Sequence, residues 1–143
     1  MDWKQKWKKC ENGMTDTGLA RVRFIIHGAY SSFFDYAENY YHGFLAGLLK
    51  GAGHYLVLSN RESGEGRPDL LLKTPSVRGT AVILEIKTAD TFSQMEKQCI
   101  HALEQIENRH YEAELLSEGY SDIKKYGICF YRKECLVKAG MKR

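Results

Sequence analysis

The chain has few of the features that would assign it to a membrane or to a secretory route. No apolar run among its 143 residues is long enough to span a bilayer, because charged residues interrupt every hydrophobic stretch. The first nine residues include several lysines, but no apolar segment follows them, which argues against a secretory signal. With 43% hydrophobic and 27% charged residues the composition is that of a globular protein, and we expect it in the cytoplasm.

The cysteines also lack the spacing that a structural metal or a disulfide framework requires. There is no C-x-x-C pair, and the four residues are widely scattered. Zinc binding is therefore not expected, and free buried thiols are the simplest interpretation. The residues concerned are Cys10, Cys99, Cys129 and Cys135.

Two further absences narrow the possible functions. No G-x-x-x-x-G-K-[ST] motif is present, so the chain does not bind a nucleotide through a phosphate-binding loop. There is no basic tract, and a net charge of +3 with a pI near 8.6 permits nucleic-acid binding without arguing for it. Function must therefore be inferred from a local site.

Hydrophobic periodicity predicts one domain with a mixed α/β architecture. No internal repeat, low-complexity segment or Pro/Ser-rich linker divides the chain. Apolar spacings of three and four predict helices, and short apolar runs between turn residues predict strands that follow one another as a meander. The predicted elements are a helix over 32–50, strands at 55–59, 69–73 and 81–87, a long helix over 92–117, and strands at 126–131 and 134–138.

Residues 1–30 give no clear pattern. Trp3 and Trp7 have the spacing of one helical face, but glycines interrupt any longer periodicity. We interpret 1–30 as an N-terminal extension, either a short helix and a loop or the remnant of a longer upstream region. The domain itself is predicted over 31–143.

Glu85-Ile86-Lys87 is the most informative trio. Residues two apart on a strand point to the same face, so Glu85 and Lys87 project together while Ile86 enters the core behind them. The four preceding residues are almost wholly apolar, which is typical of a central strand covered on both faces. Two charges at the end of such a strand need partners.

Asp69 is predicted to be one of these partners. It follows Pro68 at the start of the preceding strand, and antiparallel pairing would bring that start beside Glu85 and Lys87. Two carboxylates without a softer ligand suit a hard cation such as Mg²⁺ or Mn²⁺. E-x-K alone is a common chance pattern, and a solvated strand end with a turn aspartate would explain it. The spacing of Pro68-Asp69 before the apolar run makes the combination more informative.

Taken together, Pro68-Asp69 and Glu85-Ile86-Lys87 resemble the signature of the PD-(D/E)XK nuclease superfamily. The closer likeness is to the domains of this kind found C-terminal to AAA-ATPase-like regions in bacterial proteins. The resemblance extends from about Phe33 to Lys138. The stretches that carry it are 37–44 (AENYYHGF), 59–70 (SNRESGEGRPDL), 102–106 (ALEQI) and 126–130 (YGICF).

The resemblance implies a restriction-endonuclease-like core, with a mixed central sheet, flanking helices and the order α-β-β-β-α-β-β. It also implies a metal-dependent nuclease acting on DNA, with Mg²⁺ or Mn²⁺ as cofactor. Asp69 and Glu85 would bind the metal, with Glu38 as an additional ligand. Lys87 would be the catalytic lysine, and Gln105 would lie beside it in the active site.

Other polar residues are weaker candidates. The loop acids Glu62 and Glu65 and the loop arginines Arg61 and Arg67 have the alternative of being ordinary solvated charges. Tyr111 either frames a substrate groove or is a core or surface tyrosine. The histidines are expected to have packing or surface roles.

Two alternatives to a self-contained nuclease remain open at this point. The fold could serve as a non-catalytic nucleic-acid-binding or docking module, accessory to a separate AAA-type ATPase. The chain could also be a fragment whose activity requires an absent ATPase region. The complete acid–acid–lysine set favours catalysis, because a module that only binds has no need for it.

Overall fold

A computed structural model of the chain describes residues 19–23, 38–50, 55–59, 67–132 and 134–140. The expected start of the first helix at residues 32–37, its glycine stop, the loop at 60–66 and Cys10 lie outside the described residues. The helices are α1 (Glu38–Lys50), α2 (Met95–Asn108) and α3 (Glu112–Glu118), and a 3₁₀ turn at Phe92–Gln94 precedes α2. The strands are β1 (Leu19–Arg23), β2 (Leu56–Ser59), β3 (Leu70–Lys73), β4 (Thr80–Thr88), β5 (Asp122–Tyr131) and β6 (Glu134–Ala139).

The described strands form one six-stranded mixed sheet in the order β1-β6-β5-β4-β3-β2. β4 and β5 are parallel, and every other neighbouring pair is antiparallel. The parallel pair requires the chain to cross over between β4 and β5, and α2 and α3 make this connection. The predicted fold, a mixed sheet flanked by helices, is therefore confirmed.

The central strand β4 is covered on both faces. Successive side chains of a strand point to opposite faces, so Ile83 and Leu84 enter different clusters. Ile83 packs in the cluster that contains Ile106 of α2, whereas Leu84 packs with Leu45 of α1. The apolar run before Glu85 is thus explained by burial on two sides.

The prediction of a single long helix over 92–117 is wrong, because one helix ends at Asn108 and a second begins at Glu112. His110 adopts a left-handed backbone conformation, with φ of 52°, which ends the helical hydrogen bonding between α2 and α3. His110 is exposed and does not continue the apolar stripe of α2. The predicted stop at Gly119 is confirmed, since this residue caps α3 with φ of 112°.

Strand β5 starts earlier than expected, at Asp122 rather than Tyr126. Its first residues include two lysines, Lys124 and Lys125, and charged residues are not expected in a buried strand. Lys125 is only 6% exposed, and its ammonium lies 2.7 Å from Glu107 Oε1 and 3.0 Å from Glu112 Oε2. The buried charge is compensated by two acids on either side of the break between α2 and α3.

Strand β1 was not anticipated by the sequence interpretation. It pairs antiparallel with β6 from Leu19↔Lys138 to Arg23↔Glu134, so these five residues of the expected N-terminal extension belong to the sheet. The boundary between the extension and the domain remains a prediction. No helix in the described ranges is long and apolar enough to cross a bilayer.

Three of the cysteines are buried and free, as expected. Cys99 Sγ donates a hydrogen bond to the Leu136 carbonyl at 3.2 Å. Burial raises the pKa of Cys99 and of Cys129 to about 12. Both thiols therefore stay protonated and act as small core residues.

The break between α2 and α3 can be tested at His110. We expect His110→Val to lower the free energy of unfolding by about 1–2 kcal/mol, because a β-branched residue is strained in the left-handed region. His110→Gly should be tolerated, since glycine adopts this conformation without strain. Urea denaturation measures the free energy of unfolding of each variant. Equal values for the two variants would contradict the explanation that the left-handed backbone at residue 110 ends α2.

Candidate active site

Asp69 and Glu85 meet because of the register between β3 and β4. Leu70 pairs with Leu84, so the next residues, Asp69 and Glu85, lie opposite each other where the ladder ends. The Asp69 N–H donates to Glu85 Oε1 at 2.9 Å, and the Ile86 N–H donates to Asp69 Oδ2 at 2.8 Å. Each carboxylate is thus held by the backbone of the other strand.

The burial of Glu85 beside Asp69 disfavours its ionised form. Glu85 is only 1% exposed, although it carries an ionisable group. Its burial and the neighbouring Asp69 carboxylate raise the pKa of Glu85 to about 8, against a smaller opposing effect of Lys87. Without a cation Glu85 is therefore mainly protonated at neutral pH, and a cation bound beside it would stabilise its ionised form.

Lys87 and Gln105 complete the cluster from β4 and α2. Lys87 Nζ donates to Gln105 Oε1 at 2.7 Å, and Gln105 Nε2 donates to Glu85 Oε2 at 3.0 Å. These two bonds fix the orientation of the amide, because the ammonium needs an acceptor and the carboxylate needs a donor. The amide therefore links the lysine to the buried acid.

Tyr111 reaches the same amide because of the break after α2. Gln105 Nε2 lies 3.5 Å from the Tyr111 hydroxyl, and Tyr111 is buried. On a continuous helix a residue six positions further would lie about 240° around the axis from Gln105. The left-handed residue His110 redirects the chain and returns the tyrosine to the side of the site.

Gly127 allows α2 to approach closely enough for these contacts. It lies beside Glu85 in the register of β4 and β5. A Cβ at this position would come within 2.5 Å of the Cys99 carbonyl oxygen and 3.0 Å of Ala102 Cβ. Sequence analysis did not identify Gly127, although a glycine inside an apolar strand is a recognised sign of close backbone approach.

The donors present suit a hard divalent cation. Two carboxylates and an amide oxygen lie together, and among the residues that the structure describes no sulfur or imidazole bonds to them. Within the described residues no three acidic, histidine or cysteine side chains are placed so that they could hold a metal ion together. Glu38 is the first residue of α1, but its side chain is outside the description, so its predicted place in the site stays a prediction.

Of the weaker candidates, Tyr111 contacts the cluster through Gln105, and the others are packed elsewhere, exposed or outside the described residues. His42 is buried and its Nε2 lies 2.6 Å from Ser59 Oγ, which fits the expected packing role. His101, His110 and Arg67 are exposed. Arg61, Glu62 and Glu65 lie in the loop that the structure does not describe.

Comparison with known proteins identifies the class. The sequence model of the PD-(D/E)XK nuclease superfamily matches residues 36–140, and the chain therefore belongs to this superfamily. The match runs from just before α1 to the end of β6 and includes the whole cluster of Asp69, Glu85, Lys87 and Gln105. No curated protein and no solved structure matches the chain significantly.

The raised pKa of Glu85 predicts an unusual pH dependence of stability in the metal-free protein. The folded state holds this proton more tightly than the unfolded state, whose pKa is near 4.5. The protonation of Glu85 therefore contributes fully to the free energy of unfolding below pH 4.5. This contribution decreases above that pH and is lost as the pH rises through about 8. Denaturation in EDTA should reveal falling stability over this window.

The matched variant is Glu85→Gln, which keeps the shape but cannot ionise. We expect its stability to decrease less between pH 5 and pH 8 than that of the parent. The same slope in both proteins would show that Glu85 is not the responsible group.

Gly127 gives a packing prediction with an internal control. Gly127→Ala should lower the free energy of unfolding by about 1–3 kcal/mol, since the added methyl group overpacks the contact with α2. Gly47→Ala in α1 should be neutral or stabilising, because nothing lies within 4 Å of a Cβ there. Chemical denaturation gives the free energy of unfolding of both variants. Similar changes in the two would contradict the close approach of α2 to the sheet at Gly127.

Proposed function

We propose that the chain is a metal-dependent nuclease that hydrolyses phosphodiester bonds in DNA. The observation that supports this most directly is the reciprocal hydrogen bonding of Asp69 and Glu85, which holds two carboxylates together where the ladder between β3 and β4 ends. Membership of a nuclease superfamily supports the same class of reaction. An acid pair linked to a lysine is a suitable arrangement for metal-assisted hydrolysis.

Asp69 and Glu85 are proposed to hold Mg²⁺ or Mn²⁺, with Glu38 as an additional ligand. Such a cation, when bound, lowers the pKa of a water and offsets charge on a phosphate oxygen. Its positive charge would also compensate the burial that raises the pKa of Glu85. The reciprocal backbone bonds hold both carboxylates in place before any ligand arrives, so little side-chain freedom is lost on binding.

Lys87 is proposed as the catalytic lysine. Its ammonium could orient the attacking water or stabilise the negative charge that develops on the phosphate. Gln105 accepts a hydrogen bond from this ammonium and donates one to Glu85, so it keeps the lysine in a fixed position relative to the acid. Tyr111 supports Gln105 through its hydroxyl, and Gly127 supports it by admitting α2 close to the sheet.

The alternative is a module that binds nucleic acid without cleaving it. Burying Glu85 beside a second carboxylate, Asp69, is energetically unfavourable without a cation, and binding DNA alone does not require it. Catalysis is therefore the better-supported proposal. An ATPase region or partner and a cytoplasmic location remain predictions.

Cleavage assays test the proposed roles. Plasmid and single-stranded DNA should be cut with Mg²⁺ or Mn²⁺ and remain intact in EDTA. Lys87→Ala and Asp69→Ala should each reduce the rate about 10²–10⁴-fold, because each removes a group that acts on the water or the metal. Lys50→Ala, an exposed lysine at the end of α1, is the matched control and should cleave like the parent.

A binding measurement separates metal loss from a catalytic defect. Mn²⁺ should raise the melting temperature of the parent and of Lys87→Ala, but have much less effect on Asp69→Ala. DNA binding without cleavage under every metal condition would favour the binding module. Cleavage by Asp69→Ala at the parental rate would rule out this site.

A further inference from the structure

Helix α2 has a second flank that the proposed active site does not use. Gln105 faces the site, whereas Leu103, two residues earlier and so about 200° away around the helix, faces the other direction. On that side a groove of about 610 Å³ runs between α2 and the end of β6. Its floor and rim include Ile100, Leu103, Glu104, Glu107, Lys138 and Ala139.

The groove combines an apolar floor with a charged rim, formed by two acids, Glu104 and Glu107, and by Lys138. Ile100 is 37% exposed, although it is a large aliphatic residue on the outer surface of a helix. Leu103 is half-buried, and Glu104 and Glu107 are exposed beside it. Exposed aliphatic side chains that line a groove bordered by charges are typical of a place where another segment packs.

The sheet register places the start of β1 beside this groove. Leu19 pairs with Lys138, and Lys138 lines the groove. The chain that precedes Leu19 therefore leaves the sheet at the groove. An extended chain covers about 3.3 Å per residue, so the preceding segment, residues 1–18, can reach every part of it.

The chemistry of residues 1–18 is complementary to the groove. The segment contains both tryptophans of the protein, Trp3 and Trp7, whose spacing of four places them on one side of a helical turn. Tryptophan buries a large apolar area and is a common anchor in such grooves. Four lysines lie among and beside these tryptophans and are complementary to the exposed acid Glu104 of the rim; they are Lys4, Lys6, Lys8 and Lys9.

We propose that residues 1–18 dock intramolecularly in the groove between α2 and β6, with Trp3 and Trp7 against Ile100 and Leu103. The lysines of the segment then lie near Glu104, where they gain favourable but salt-sensitive interactions, while Glu107 keeps its ion pair with Lys125. The docked segment covers the flank of α2 opposite Gln105. The N-terminal residues are thus a support for the helix that carries part of the proposed active site.

Tryptophan fluorescence tests the proposal directly, because both tryptophans lie in the segment. The full chain should emit at shorter wavelength than the denatured chain and be protected from acrylamide quenching. Ile100→Lys should shift the emission towards that of the denatured chain, since it places a charge on the apolar floor and repels the lysines. Leu116→Lys is the matched control, as Leu116 is 36% exposed on α3 and outside the groove, and its emission should equal that of the parent.

Three outcomes would overturn the proposal. Emission of the native parent equal to that of the denatured chain would mean that the tryptophans are not docked. A blue-shifted emission unaffected by Ile100→Lys would place them elsewhere on the protein. A blue shift of the emission that disappears on dilution would mean that the tryptophans dock on a second copy of the chain. Circular dichroism of both variants confirms that each remains folded.

A crosslink gives independent support. Cys10 is in the segment, and Glu104 is exposed on the groove rim. Mild oxidation of Glu104→Cys should form a monomeric disulfide between these two positions, because docking brings the segment to the rim. Glu114→Cys on α3 is the control and should not crosslink to Cys10. Equal crosslinking of both variants would contradict docking in the groove.

Discussion

The reciprocal hydrogen bonds between Asp69 and Glu85 are the interaction on which the rest of the site depends. Each side chain accepts a bond from the backbone of the opposite strand, so the carboxylates take the place of the last rungs of the β3–β4 ladder. The strands therefore cannot separate at this end without releasing the acids. Because the same bonds complete the sheet and hold the acids together, the stability of the hairpin and the geometry of the proposed metal site are coupled.

A second constraint is the short distance between α2 and the sheet. Gly127 lies beside Glu85 on β5 and has no side chain, so the backbone of α2 packs directly over it. This brings Gln105 within reach of both Lys87 and Glu85. At the end of α2 the buried Lys125 holds Glu107 and Glu112, and the break between them returns Tyr111 to the amide. The packing of α2 and of the turn that follows it therefore determines where the amide lies.

Much of the fold and of the site's geometry could be predicted from the sequence, because the signals were local. The apolar run before Glu85 indicated a central strand, and the antiparallel pairing expected of Asp69 with that strand is found in the structure. Features that depend on tertiary contacts were missed. The start of β5 was concealed by Lys125, whose burial depends on acids contributed by another element. The break at His110 had no glycine or proline to indicate it, and β1 is held by pairing with a strand over a hundred residues away.

The parallel pairing of β4 with β5 has a consequence for how the protein assembles. β3 and β4 form a hairpin of nearby residues, whereas β5 can join β4 only after the chain has crossed over through α2 and α3. Closing the longer connection requires a larger loss of chain entropy before any contact is gained. We therefore expect the two acids to come together early in folding and the glutamine to arrive later. A newly made chain would then pass through a stage in which its acids are paired but its lysine has no amide partner.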